Sequence, residues 1–273
     1  MQEPIHRSWL RMQAGRLYYT ARRMGQWYLS GTAYASGKAD AAAFAAVQAE
    51  HRTPLYRQLR NVEMWLQENK VHNLRLAVPK LDGLVLQPGE TMSYWKLIGS
   101  PSKRNGYKQG MVLHGGGFQP GYGGGLCQLS NLLYWITLHT PLTVTERFRH
   151  QYDVFPDSNR TQPFGSGATC AYNYVDLQIR NDTDQTFCLH IYLTDTDLVG
   201  EWRAKRPAEV TYRVYEKEHR FQQHYWGGFT RHNQIWRKVY DRQGRETGDE
   251  FVTENHAYMM YSPLLSHGEE SVI

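Results

Sequence analysis

Gly123-Gly124-Gly125-Leu126-Cys127-Gln128-Leu129-Ser130-Asn131-Leu132-Leu133-Tyr134-Trp135-Ile136 is the stretch on which the reading of this chain turns. The glycines close a glycine-rich run and open a helical pattern in which Leu126, Leu129, Leu133 and Ile136 fall on one stripe. The run before it, 110–125, reads as a hairpin with Gly115-Gly116-Gly117 at its tip. After Pro141 the helical pattern has ended, and short alternating segments cover 142–146, 168–180, 186–194 and 210–215. The expected fold class is α+β: N-terminal helices, then a mostly antiparallel sheet with one central helix carrying the cysteine.

The same stretch carries chemistry. First-turn N–H groups have no acceptor inside a helix, and the dipole's positive end lies there, so both favour thiolate over thiol at Cys127. Phase sets Cys127, Asn131 and Tyr134 about 100° from the buried stripe, with Asn131 over the thiol and able to meet a substrate. Gly123, Gly124 and Gly125 let a substrate backbone approach, and the N–H groups of 126–128, Gln128 included, offer an oxyanion site. An acyl-transferring cysteine also needs a base. His150 follows the strand that returns from the helix, whereas His139 stands about 18 Å along the helix axis from Cys127. Asp176 or Asp153 would orient the histidine, and Arg147 would hold a substrate carboxylate. The opposite reading is a small thiol packing a tight turn, with Glu146 and Arg147 as an ion pair.

Outward from this centre, residues 9–28 read as a helix with Leu10, Ala14, Leu17, Ala21, Met24 and Tyr28 on one stripe among arginines. That stripe packs on the domain or a partner subunit, or it rests on an anionic membrane surface. Further helical patterns are read at 40–47, with Asp40 as N-cap, and at 55–68. Short alternating segments are expected from Leu74 onward. Three regions result: a helical 1–73, a core at 74–200 and a β-rich extension at 201–273.

Composition narrows the classes. The 273 residues carry a net charge of +5 and 41% hydrophobic residues, which describes a folded protein with mild preference for anionic partners. No run of apolar residues is long enough to cross a membrane, and 1–7 is polar, so the expected location is cytoplasmic or peripheral to the inner membrane face. Cys127, Cys170 and Cys188 form an odd set that fits a reducing compartment, although a Cys170–Cys188 bridge stays open. No paired ligand spacing points to a metal, and no cofactor is expected. The basic, aromatic tail at 220–261 has no nucleic-acid-binding motif and reads as a solvent-facing sheet, so no nucleic acid partner is expected. The oligomeric state stays open.

Pro88-Gly89-Glu90-Thr91 with Trp95, Gly106-Tyr107, Gly123 to Ser130, Glu146-Arg147, His150 and Gly167-Ala168-Thr169 resemble the VanW family. The uninterrupted Asp157-Ser158-Asn159-Arg160-Thr161-Gln162-Pro163-Phe164-Gly165-Ser166-Gly167 is similar to the compact, stand-alone branch. The family takes its name from a gene of glycopeptide-resistance clusters in Gram-positive bacteria. Some exported members act as L,D-transpeptidases through the motif cysteine. The resemblance therefore implies that Cys127 attacks an amide carbonyl and carries an acyl-enzyme, with peptidoglycan stem peptide or its precursor as partner. Where exported members often show two histidines separated by one residue, only His150 matches here. The other implied role is a non-catalytic accessory module that binds a wall precursor or a resistance enzyme.

Overall fold

A computed structural model of the chain describes residues 8–56, 63–114, 117–154 and 161–263. The elements run in order α1 (Trp9–Leu29), β1 (Ala46–Pro54), α2 (Met64–Leu81), β2 (Val85–Leu86), β3 (Thr91–Ser93) and α3 (Tyr94–Ile98). The hairpin β4 (Gln109–His114) and β5 (Gly117–Tyr122) then feeds α4 (Cys127–Leu138). After it come β6 (Thr143–Glu146), β7 (Tyr152–Asp153), β8 (Gln178–Arg180), β9 (Phe187–Leu193), β10 (Asp197–Ala204), β11 (Thr211–Gln223), β12 (Phe229–Tyr240) and β13 (Glu246–Met259). The fold is α+β. Its strand pairs are antiparallel except for β13 with β7.

The core is built where α2 and α4 meet the sheet β1-β10-β9-β2. On α4 the stripe Leu126, Leu129, Leu133 and Ile136 is buried, as its spacing requires. Leu132 and Tyr134 are buried too, so the helix is enclosed on most sides. Tyr134, expected on the open face with Cys127, instead lies under the Arg147 guanidinium, 5.0 Å from its ring centroid. A Cβ at Gly200 would lie 3.0 Å from Leu132 Cδ2, so this glycine of β10 sets how closely α4 can lie on the sheet.

Three local expectations change. Asp40 caps as predicted, accepting from the Ala42 N–H at 2.9 Å, but the turn it starts ends at Ala43. The chain from Ala46 is strand, because pairing along the whole of β10 satisfies its backbone and outweighs the helix propensity of alanine. The helix placed at 55–68 lies at 64–81, while residues 57–62 fall outside the described residues. Pro79 does not end it: proline in the last turn still accepts as a carbonyl, here from Lys38 Nζ at 2.6 Å. Of the strand read at 168–180, only 178–180 pairs as β8; the rest is a strap that crosses α4. Gly115 and Gly116 of the hairpin tip and residues 157–160 of the motif also fall outside the described residues.

The long strands β11, β12 and β13 form the extension, with β12 in the middle. Arg237 from β12 donates to the carbonyls of Leu138 and Thr140 at 3.2 and 2.9 Å, so the extension caps the end of α4. Elsewhere its cations pair across strands, Lys238 with Glu246 and Lys217 with Asp249. α2 runs through residues 73 and 74, and β10 through 200 and 201.

Candidate functional site

The turn that delivers Cys127 is built from backbone packing. Gly123 and Gly125 adopt φ of 74° and 88°, a region that residues with a side chain rarely enter. Between them, a Cβ on Gly124 would sit 2.2 Å from the carbonyl oxygen of Gly110. The glycines therefore let the turn lie flat on the start of β4. Asn73 of α2 locks that contact, donating to the carbonyls of Lys108 and Gly124 and accepting from the Lys108 N–H. The Tyr94 hydroxyl donates to the Leu126 carbonyl at 2.9 Å from the far side.

This packing consumes the expected oxyanion donors. The N–H groups of Gly123, Gly124, Gly125, Leu126 and Gln128 all donate to backbone carbonyls, those of Lys108, Gly121, Met111, Gly123 and Gly125. Among the described residues, the Cys127 N–H is the member of this run given no backbone carbonyl; it faces its own sulfur. The Gln128 side chain is also engaged, donating to Thr53 Oγ1 at 2.8 Å and to the Pro54 carbonyl at 3.0 Å. A tight strand-to-helix turn satisfies its own donors, which is why a helix start alone does not make an anion site.

The strap from Gly167 to Ala171 lies over the first turns of α4. Ser130 Oγ donates to the Ala168 carbonyl at 2.6 Å, and Asn131 Oδ1 accepts from the Ala168 N–H at 2.8 Å. Asn131 thus holds the strap and is less available to a substrate. Beyond Ala168, the Cys170 N–H is directed at the Cys127 sulfur. Cys127 is exposed as a residue, yet the protein packed around its sulfur pushes the thiol up from its ordinary value. The Cys170 and Cys127 N–H groups pull the other way and are the smaller influence. Cys170 is pushed well above the ordinary range, by burial first and by the nearby Cys127 and Asp176 charges next. Cys188 is buried at the opposite end of the sheet, against Ala41 and Phe44. All three cysteines are free, so no Cys170–Cys188 bridge is present.

The predicted partners are not gathered at this thiol. His150 is tied by Nδ1 to the Tyr152 carbonyl and by its N–H to Thr169 Oγ1 at 3.1 Å. Burial lowers its pKa, with Arg149 adding, and no hydrogen bond joins it to Cys127 or Asp176 among the described residues. Asp176 is buried and accepts from Ser93 Oγ at 2.5 Å and from the Trp95 and Leu177 N–H groups at 3.0 Å. Burial raises its carboxyl to about 6 against those hydrogen bonds. Arg147 points into the protein. It donates to the carbonyls of Gly167 and Gly165, to Asn255 Oδ1 at 3.1 Å and to Thr253 Oγ1 at 3.3 Å. Its fork ties the strap to β13 rather than presenting itself to a carboxylate. Glu146 pairs with Arg23 of α1, not with Arg147.

The residues that act on the Cys127 thiol are Cys170 and Tyr94, while Ser130 donates to the Cys127 carbonyl at 3.2 Å and Asn131 holds the strap above it. Sequence reasoning assigned no role at the thiol to Cys170, Ser130 or Tyr94, although Ser130 and Gly167-Ala168-Thr169 stand among the quoted motif residues. Spacing along the chain carries no sign that 167–171 lies over 127–131.

Residues 69–203 match the family model described as "VanW like protein". Vancomycin B-type resistance protein VanW of Enterococcus faecalis (strain ATCC 700802 / V583) is 40% identical over 160 residues, which is 59% of this chain and 58% of that relative. Uncharacterized protein YoaR of Bacillus subtilis (strain 168) is 28% identical over 118 residues, 43% of this chain and 37% of the relative. The aligned part thus spans little more than half of the first relative and well under half of the second. No solved structure matches the chain.

Proposed function

The chain belongs to the VanW-like family through residues 69–203, and from that membership we propose a role in glycopeptide resistance or cell-wall metabolism. In this reading Cys127 is the nucleophile of acyl transfer on peptidoglycan stem peptide or a precursor. The supporting observation is that Cys127 is exposed and opens α4 with its own N–H turned to its sulfur rather than given to a backbone carbonyl. Once the sulfur attacks a carbonyl, that N–H can donate instead to the oxygen on which charge develops. The attack forms a C–S bond and breaks the amide C–N bond, and the thiol proton would pass to water or to the amine that leaves, because His150 is held by the Tyr152 carbonyl away from the thiol.

The second reading is a non-catalytic module that binds a wall precursor or a partner protein over the same turn. It is favoured by the raised thiol and by His150 and Asp176 being committed to Tyr152, Ser93 and Trp95. Intact-mass spectrometry after incubation with a stem tetrapeptide separates the two. An adduct lost in Cys127→Ser supports acyl transfer. Binding that survives Cys127→Ser, with no adduct in either protein, supports the module.

A further inference from the structure

The apolar stripe of α1 is a face that the described residues leave exposed. Among the described residues, α1 is held through its C-terminal half, where the Tyr19 and Tyr174 ring centroids lie 6.3 Å apart, Arg23 pairs with Glu146 and donates to the Tyr174 carbonyl, and Trp27 Nε1 donates to Ser93 Oγ at 3.0 Å. Arg23 and Trp27 are its buried residues. They lie about 120° around the helix from the stripe Leu10, Ala14, Leu17, Ala21, Met24 and Tyr28. Every member of that stripe is exposed, with Leu10 at 72%, Leu17 at 71% and Tyr28 at 70%. The expectation that this stripe packs on the domain is thus overturned: the domain holds α1 by a different face.

A helix in this position is short of stabilisation. Its first three turns bury nothing, and an isolated helix of that length is marginal in water. Something that covers the stripe would supply what tertiary packing does not. The charges say what. Trp9–Leu29 contains no Asp or Glu, while Arg11 and Arg22 lie along one border of the stripe, and Arg16 shares the phase of Arg23 and Trp27. Lys96 adds a cation at the C-terminal end, its Nζ 4.9 Å from the Tyr28 ring centroid. Trp9 and Tyr28, aromatic with a polar atom each, stand near the two ends, as suits a boundary between water and hydrocarbon. A second copy of the helix would bring a second set of arginines with no carboxylate of its own to meet them. A layer of anionic headgroups over acyl chains complements the arginines and the stripe together.

We propose that α1 is an interfacial anchor that lays its exposed stripe into an anionic lipid surface, with Arg11 and Arg22 at the headgroups. No helix among the described residues is long and apolar enough to cross a membrane, so the contact is with the surface. This inference is independent of any chemistry at Cys127.

Co-sedimentation of the full chain with vesicles tests it. The vesicles are phosphatidylcholine alone, or phosphatidylcholine with about a third phosphatidylglycerol. Binding at least about tenfold stronger to the anionic vesicles is expected, lost when salt rises from about 0.1 M to about 1 M. Leu17→Glu and the pair Arg11→Gln with Arg22→Gln should each abolish it. All three positions are exposed, so folding checked by circular dichroism should be unchanged. Met12→Ala, exposed on the opposite side of the helix from the stripe, should bind as the parent does. Equal binding to both vesicle types, or none, overturns the proposal. So does a dimer in light scattering that Leu17→Glu dissociates, since the stripe would then belong to a second copy.

Discussion

Cys127 combines an exposed position with a pKa pushed up, and this decides how its reactivity is measured. A thiol whose pKa lies above the ordinary value has less thiolate at neutral pH, so alkylation should be slow there. Iodoacetamide should label Cys127 in the native protein more slowly than free cysteine at pH 7, and the rate should climb steeply toward pH 9. Cys188, wholly buried, should label only after unfolding. Peptide mapping by mass spectrometry reads both. Labelling of Cys127 faster than free cysteine at pH 7 would mean the helix dipole outweighs burial, which would strengthen the acyl-transfer reading. The identity of this residue was legible from its neighbours in the chain. Its partners were not, because Cys170 reaches it through a strap whose path depends on Ser130 and Asn131 together.

Among the elements, α1 shows how periodicity and packing can part company. Its stripe was read correctly as a stripe, and the helix spans Trp9–Leu29 as the spacing of those residues predicts. The docking, however, uses a charged residue: Arg23 is buried against Glu146, which also accepts from the Asp176 N–H at 3.2 Å and Gln178 Nε2 at 3.1 Å. Removing one member of a buried pair leaves the other unpaired in a place from which water is largely excluded. Arg23→Ala should therefore cost about 3 kcal/mol in urea unfolding and release α1, seen as faster tryptic cleavage after Arg11, Arg16 and Arg22. Unchanged cleavage would mean Trp27 alone anchors the helix. For β1 the reverse held. Alanines suggested a helix, yet from Ala49 to Pro54 exposure alternates residue by residue beside β10, after a register shift between Val47 and Ala49. Helix propensity is worth tenths of a kcal/mol per residue, which a continuous ladder of strand hydrogen bonds readily exceeds.

Over the whole molecule, buried titratable groups set the response to acid. His51, His139, His150 and His232 all have pKa values lowered from 6.5, each chiefly by burial. A lowered histidine takes up its proton in the unfolded chain before the folded one, so stability falls as pH drops through 6.5. Asp176 acts with the opposite sign. Its folded carboxyl protonates near pH 6, before the unfolded one at 3.8, which favours the fold as pH falls between those values. The histidines outnumber it, so the melting temperature should fall from pH 7.5 to pH 5.5. Asp176→Asn, which removes the opposing uptake, should make the fall steeper. A flat profile across this window would contradict the burial of these rings.

What could be read from residues alone was local and periodic: the α+β class, the hairpin that feeds α4, the extent of α1 and the placing of Cys127 at a helix start. These depend on contacts within a few residues, where turn geometry and helical phase act directly. What required the folded chain was every long-range partnership. Arg147 ties the strap to β13, Arg23 takes Glu146, Gln128 is held by β1, and the glycine turn spends its N–H groups on β4 and its own carbonyls. A side chain's chemistry fixes what it can bind, but which group reaches it first depends on how distant segments pack. Here the protein's own backbone reached most of the predicted binding groups, and left Cys127 and the stripe of α1 to the outside.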